Sequence, residues 1–490
     1  MNNKEEHRDV LKSTGIFGGV QVIVILSGLA KAKIAAILIG PVGVGISSIY
    51  NNILLMLTSI IGLGIGSSAI REIAKESNDI EKSRVAKIAI NLVLCCSIIG
   101  LIVTLILSYP LSEIMFGNNE YTVGFCIISI SVFFTILSTG YNACLKGFRM
   151  TKSIAFVSLY SSIGHVLISF ILFILWGVKA IPYTIAINAL GVFALNYYYT
   201  KGVVDTSHVD MTIRQTLKEG KPMAILGIML VLSSLIDYFV INATNAVIRD
   251  RGSLAEIGLY QGAMQITAMS INMVFAAIAN DYYPRLSEAT NDSEKFNNTM
   301  NTQAIIALLL MVPILNLMIV ASPLLIQLFL SNEFSSISDF IYWILFGSIF
   351  MSVSWCLYFV PLAHGHTKRF LYMVIISAIL KLSIQLPFYL FWGLKGIAIG
   401  NTITTFGYAF FAYILYRRIY KISFHSNFIQ NFIILLILSS TVLITEIFRH
   451  EYSNLIFLEI ALAAIGCLYS GIQLNKYTSL IDIIKNKIKR

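Results

Sequence analysis

Charge is what this chain has least of. Only 12% of its 490 residues are Asp, Glu, Lys or Arg, where a soluble domain carries roughly 25%. With 57% hydrophobic residues and a mean hydropathy of +0.78, that shortage excludes a water-soluble globule and places the chain in a bilayer. Strict alternation over segments of about ten residues, the mark of an outer-membrane barrel, is also missing. Apolar windows of about twenty residues recur instead, so the spans are helices. Cysteine is scarce: Cys95, Cys96, Cys126, Cys144, Cys356 and Cys467 lie in or at the ends of apolar spans without CxxC or Cys/His spacing, which points to packing rather than disulfides or metal. His364-Gly-His366 is too short and exposed to argue a metal site. There is no GxxxxGK[ST] phosphate loop and no HExxH motif, so neither ATP hydrolysis nor zinc chemistry is indicated. No enzymatic constellation is visible and no cofactor is called for. The longest polar connections, Arg71 to Arg84 and Thr200 to Lys221, leave no room for a large soluble domain.

What is there is a succession of membrane spans. Hydropathy places them near 14–39, 44–69, 86–108, 122–143, 153–176, 180–199, 222–245, 256–281, 303–328, 337–359, 369–391, 396–416, 428–447 and 454–473, about fourteen in all. Ala30-Lys31-Ala32 has the form of a signal-peptidase site, but the apolar segment continues to Ile39, past a secretory core of about 7–15 residues. The first span is therefore read as retained. Of the 35 lysines and arginines, 27 fall on alternate connections that include both termini, five on the opposite connections (Lys179, Arg249, Arg251, Lys395 and Arg449), and three within spans. The positive-inside rule then makes both termini cytoplasmic. The formal net charge of +10 follows topology, and nucleic acid is not needed to explain it.

The chain repeats itself at long range. Trp176-Gly-Val-Lys179 recurs 216 residues later as Trp392-Gly-Leu-Lys395, and Thr151-Lys152 recurs at the same offset as Thr367-Lys368. Pro110-Leu111 with Phe116, Asn119 and Tyr121 corresponds, 213 residues on, to Pro323-Leu324 with Phe329, Asn332 and Phe334. Leu11-Lys12 against Leu217-Lys218 aligns Lys31 with Asp237. The expected fold is an all-α, polytopic membrane protein: two pseudo-symmetric six-helix bundles, 1–200 and 222–417, joined by a cytoplasmic linker at 201–221. Residues 418–490 add two transmembrane helices and a basic cytoplasmic tail. Parallel repeats of this kind are a transporter architecture, with substrate bound at the repeat interface near the midplane.

Charges inside the spans are the candidate chemistry. Lys31 and Lys33 lie deep in the first span, Asp237 in the seventh and Lys381 in the eleventh. A charge at membrane depth costs at least about 2.5–3.5 kcal/mol on insertion scales, so its default reading is a pathway or ligand site. Lys31 and Lys33 project roughly 200° apart and cannot both point at one cavity; Lys33, nearer the outer end, has the alternative of snorkelling. Asp237 either neutralises one of them or couples to a cation. Polar side chains align on two further spans: Ser48, Asn52, Ser59 and Gly66 on the second, Gln261, Gln265 and Asn272 on the eighth. Such lines serve as interhelical glue or as a cavity wall, and with Gln21 they complete the expected lining of a shared polar cavity. Lys381 with Gln385 marks either a second-half groove or a structural pair. His165 reads as a hydrogen-bonded core residue or a relay, and Glu459 as interfacial. An interior in which lysines outnumber acids suits an anionic cargo.

In order and spacing, several stretches resemble the Wzx-type polysaccharide flippases of the multidrug/oligosaccharidyl-lipid/polysaccharide (MOP) exporter superfamily. They are Lys33 ahead of Gly40-Pro41-Val-Gly43-Val-Gly45, Lys146-Gly-Phe-Arg149, Gly258-Leu-Tyr-Gln261-Gly262, Tyr283-Pro284-Arg285 and Leu330-Ser-Asn332-Glu-Phe334. The likeness covers about the first 416 residues and looks especially like the lipid III flippase subgroup and the O-antigen translocases. It implies two six-helix bundles that alternately open to each face of the cell inner membrane. The implied cargo is an undecaprenyl-pyrophosphate-linked oligosaccharide for polysaccharide or lipopolysaccharide biosynthesis, with Lys33, and by a more distant likeness Lys31, engaging the pyrophosphate. The implied partners are that polyprenyl-pyrophosphate-linked glycan, membrane lipids, a glycan polymerase and chain-length machinery. Two competing classes remain at this stage: a cation-coupled, MATE-like multidrug exporter with Asp237 as coupling group, and a non-transporting scaffold for glycan assembly.

Overall fold

The computed structural model describes residues 3–201, 211–449, 452 and 454–478; side chains are described from residue 19 onward except at 213, 269, 270, 272–274, 276, 277, 279, 280 and 478. Within that range every regular element is helical. The α-helices are α1 (Asn3–Leu38), α2 (Gly40–Ile61), α3 (Ile65–Lys75), α4 (Asp79–Ile106), α5 (Ser108–Phe116), α6 (Thr122–Gly147), α7 (Thr151–Trp176), α8 (Ile181–Lys201), α9 (Ile213–Arg251), α10 (Leu254–Glu288), α11 (Ser293–Phe329), α12 (Ser338–Ala363), α13 (Thr367–Tyr420), α14 (Ser426–Phe448) and α15 (Leu455–Thr478).

Eleven stretches among the described residues are long and apolar enough to cross a membrane. Two of them, Thr151–Lys201 and Thr367–Tyr420, run for 51 and 54 residues, more than twice the roughly 20 that one crossing requires. Each is a hairpin folded about a glycine in a conformation closed to L side chains. Gly177 has φ 54° and ψ −134°, and Gly393 has φ 60° and ψ −146°. These are the glycines of the repeated Trp-Gly pair, so the repeat in sequence is a repeat of backbone geometry. Counted as two crossings each, and with the 35-residue α10 as another, the hairpins bring the total to the expected fourteen. Aromatic packing repeats too: Tyr50 meets Phe125 edge-on at 5.0 Å, and Tyr260 meets Phe340 edge-on at 5.6 Å.

Local chemistry sets the helix ends. Gly40 adopts φ 62° and Pro41 opens α2, where proline's missing N–H is no loss. Leu63 (φ 50°) and Gly64 (φ 61°) then break that span into α2 and α3. Thus the second span ends at Ile61, and part of the expected polar loop after Arg71 is helical as far as Lys75. Asn78 caps α4 by accepting from the Ile80 N–H. Thr212 and Gln215 form a reciprocal capping box at the start of α9, satisfying donors the helix leaves unpaired. The short helix α5 has no counterpart in the hydropathy reading.

The described chain divides into two compact units, Met1–Gly258 and Leu259–Arg490. The first is organised on α6, which packs against α4, α8 and α3, while α1 lies on α7. Helix α9 is fastened to this unit along its length. Arg84 of α4 reaches both Glu219 carboxylate oxygens at 3.2 Å, and Asn91 donates to Thr216. Farther along, a Cβ on Gly227 would strike the Leu63 and Gly64 backbone, and at the far end Arg249 donates to the Ile114 carbonyl. In the second unit α11 packs against α12, α14 and α15. Asn301 holds the start of α14 by donating to the Ser423 carbonyl and accepting from the His425 N–H, so the last two helices are built into this unit.

Candidate functional site

A polar chamber of about 510 Å³ lies within the first unit. Its walls come from α2, the α2–α3 break, α3, α6, α7 and α8, with Val231 of α9. On α2 the wall includes Asn51, Leu54 and Thr58, spaced three and four residues as one helical face requires, and Ser59 beside them. The break at Gly62–Gly64 brings Gly66 and Ser67 of α3 onto the same wall. The opposite side is α6 and α8, joined by an amide ladder. Asn142 donates to Asn196 Oδ1 at 3.1 Å, and Asn196 donates to Ser138 Oγ at 3.0 Å and to the Val192 backbone carbonyl at 2.9 Å. Thr200 donates to the Tyr141 carbonyl at 3.2 Å. In apolar surroundings these bonds satisfy groups that would otherwise be stranded.

The charge of the chamber is one-sided. Its wall holds Lys146 and His165 and, among the described residues, no carboxylate. Lys146 stands in the last turn of α6, at the end joined to the basic connections, and His165 marks the deep end, halfway along α7. Behind His165 is Lys31. The helix that carries it packs on α7, and its ammonium lies within electrostatic reach of the imidazole. Lys31 is half-buried and has no hydrogen bond or ion pair among the described residues. One cation, Lys146, thus stands on the wall of an amide- and hydroxyl-lined space, and a second, Lys31, stands near its His165. Such a space is suited to an anionic or strongly hydroxylated ligand, because low-dielectric walls strengthen each charge interaction.

The structure sorts the expected site residues. Lys31 is brought to His165, and Ser59 and Gly66 line the chamber. Lys33 is half-buried and Gln21 exposed, and neither lines it. Ser48 is likewise off the wall. Asn52 lies one turn before Met56, whose sulfur faces the Asn242 amide of α9 at 3.8 Å; the Asn52 amide nitrogen is buried without a hydrogen bond among the described residues. The neighbouring amide, Asn51, is the one on the wall. Asp237 is an exposed residue of α9. Gln261, half-buried, and Gln265, exposed, belong to the second unit; the side chain of Asn272 lies outside the described residues. Gln385 is 6% exposed and donates to Asn401 at 3.2 Å, clasping the two arms of α13, while Lys381 sits one turn before it. At the 216-residue offset Lys381 is the counterpart of His165, so the two residues singled out separately in sequence occupy one position of the repeat. Asn142, Asn188 and Asn196 were missed; their signal was amides at helical spacing on the fourth and sixth spans.

These features define a class: a multi-pass, all-helical membrane transporter fold made of a repeated unit. The structure of lipid II flippase MurJ in an inward closed conformation matches with a TM-score of 0.71 and 17% identity, covering 95% of this chain and 99% of that one. An inward-facing multidrug resistance MATE family transporter of the MOP superfamily matches with a TM-score of 0.65 and 16% identity, covering 81% and 94%. The fold is therefore the one these two transporter structures share. In sequence, the lipid III flippases of Escherichia coli (strain K12) and Shigella flexneri are each 22% identical over 336 residues, 67% of this chain and 79% of theirs. The polysaccharide biosynthesis protein family matches residues 34–339, and the chain belongs to that family.

Proposed function

We propose that this protein is a flippase that carries an undecaprenyl-pyrophosphate-linked oligosaccharide from the cytoplasmic to the periplasmic leaflet of the inner membrane by alternating access, with both termini cytoplasmic. The observation that carries the reading is the chamber of the first unit, which has no carboxylate among its described lining residues and holds Lys146 at its basic end and His165 backed by Lys31. A pyrophosphate needs cations held out of bulk water, and sugars need amides and hydroxyls; both are present in one space. Lys33 is retained as a second pyrophosphate contact, engaged during passage. The glycan repeat is of the O-antigen or common-antigen type, and its consumers are a polymerase and chain-length machinery.

The cation-coupled multidrug exporter shares the fold, and the MATE likeness is what favours it. A cationic drug, however, finds no carboxylate among the described residues of the chamber wall, so the saccharide reading is preferred. Complementation of a strain lacking its own flippase tests it. Lys31→Ala and Lys33→Ala, expressed separately at wild-type level, are expected to lower surface glycan at least tenfold in the Lys31 variant, with Lys31→Arg restoring it. Full activity of both alanine variants would remove the site assignment, and drug resistance dependent on Asp237 would favour the exporter.

A further inference from the structure

Glu446 and Glu459 are the only buried carboxylates among the described residues, 1% and 0% exposed. They face one another from the last turns of α14 and the first turns of α15, inside the segments that cross the membrane. One guanidinium serves both: Arg449 Nη1 is 2.8 Å from Glu446 Oε2 and 3.3 Å from Glu459 Oε2. The neighbouring charges do not redress the balance. Asp339 of α12 is neutralised by Lys395 of α13 at 2.9 Å and accepts from Tyr342 at 2.7 Å. Helix α11, which packs against both α14 and α15, carries no charge between Phe296 and its end. His450 and Glu451 lie outside the described residues. Among the described residues, two acids and one base leave an excess negative charge in an apolar setting, where an uncompensated ion is expensive.

Two further observations say what fills the deficit. The Glu446 and Glu459 carboxyl groups are within hydrogen-bond reach of each other, a contact that two ionised carboxylates repel and that one shared proton makes attractive. Glu459 Oε1 is buried with no hydrogen bond among the described residues, so an acceptor stands beside the contact. Below the pair, Asn316 of α11 is fully buried against Gly466 of α15, and both its amide atoms are unpartnered among the described residues, as are the hydroxyls of Ser322, Ser439 and Ser470. Hydrogen-bonding groups therefore continue from the acids into the α11–α14–α15 core.

We infer that Glu446 and Glu459 hold one proton between them, with Arg449 as their common counter-charge, making the α14–α15 hairpin a proton-binding element within the membrane. The inference is independent of the chamber in the first unit. Infrared spectra of the full chain in lipid nanodiscs, with and without carbon-13-labelled glutamate, test it. At neutral pH a label-sensitive band of a protonated carboxyl is expected; it should disappear in Glu446→Gln and in Glu459→Gln, disappear in the wild type at alkaline pH, and ignore sodium. Thermal unfolding supplies a second readout. Loss of the shared proton as pH rises removes stability, so the wild type should melt at lower temperature at alkaline pH, and Glu459→Gln should not show that drop. Absence of a glutamate band at neutral pH, its survival in both variants, or its removal by sodium at constant pH would overturn the inference. If neither variant folds, the wild-type band and its pH and sodium responses decide the matter.

Discussion

Asn196 is 1% exposed and bonds to Asn142, Ser138 and its own helix at once. Removing it strands two partners, but hydrogen bonds between membrane helices are modest, averaging about 0.6 and reaching about 1.7 kcal/mol in double-mutant cycles. Asn196→Ala is therefore expected to cost about 1 kcal/mol, read as a fall in melting temperature of the purified protein. Asn142→Ala in the same background should add little, because the two act as one unit; full additivity would contradict the ladder. At this scale the sequence is ambiguous for a physical reason. Asn51 and Asn52 are adjacent, so about 100° of helix rotation separates a chamber wall from a helix contact, and hydropathy does not resolve that rotation. Lys31 was legible as a cation at membrane depth, whereas His165 was not legible as its neighbour, since contact between α1 and α7 is a tertiary fact. Glu459 read as interfacial because its partners, Glu446 and Arg449, are likewise invisible to a one-dimensional window.

Among elements, the two hairpins give the sharpest test. A Cβ at Gly177 or Gly393 would meet nothing within 4 Å, so any penalty for alanine there comes from the backbone alone. Their φ and ψ values lie near the region held almost only by glycine, where another residue costs of order 1–3 kcal/mol. Gly177→Ala and Gly393→Ala are each expected to lower stability by that amount, measured by thermal unfolding. Gly191→Ala, in open space within α8, should be neutral or stabilising by up to about 1 kcal/mol. Equal effects at all three would refute the turn geometry. The Trp-Gly repeat made these hairpins visible in advance. The α2–α3 break was not visible, because Gly62-Leu63-Gly64 reads as apolar and hydropathy carries straight through it. Why Leu63 rather than a glycine takes φ 50° has no explanation in the structure.

For the molecule as a whole, hydropathy and the long-period repeat were sufficient to read the fourteen crossings and the fold class. The attachment of α9 was not legible, since it depends on a salt bridge and glycine contacts that fasten this helix to the first unit. Orientation is the next test at this scale. In a background without the native cysteines, a cysteine replacing Lys179 or Lys395 should react with an impermeant thiol reagent in intact cells, and one replacing Glu76 only after the membrane is opened. The reverse pattern would overturn cytoplasmic termini. The central claim is that cations beside an amide-lined chamber move a lipid-linked pyrophosphate. It is tested most directly by following transfer of a labelled undecaprenyl-pyrophosphate oligosaccharide between leaflets of proteoliposomes. The account predicts transfer by the wild type and Lys31→Arg, and a loss of at least tenfold for Lys31→Ala; transfer by Lys31→Ala and Lys33→Ala at the wild-type rate would contradict it.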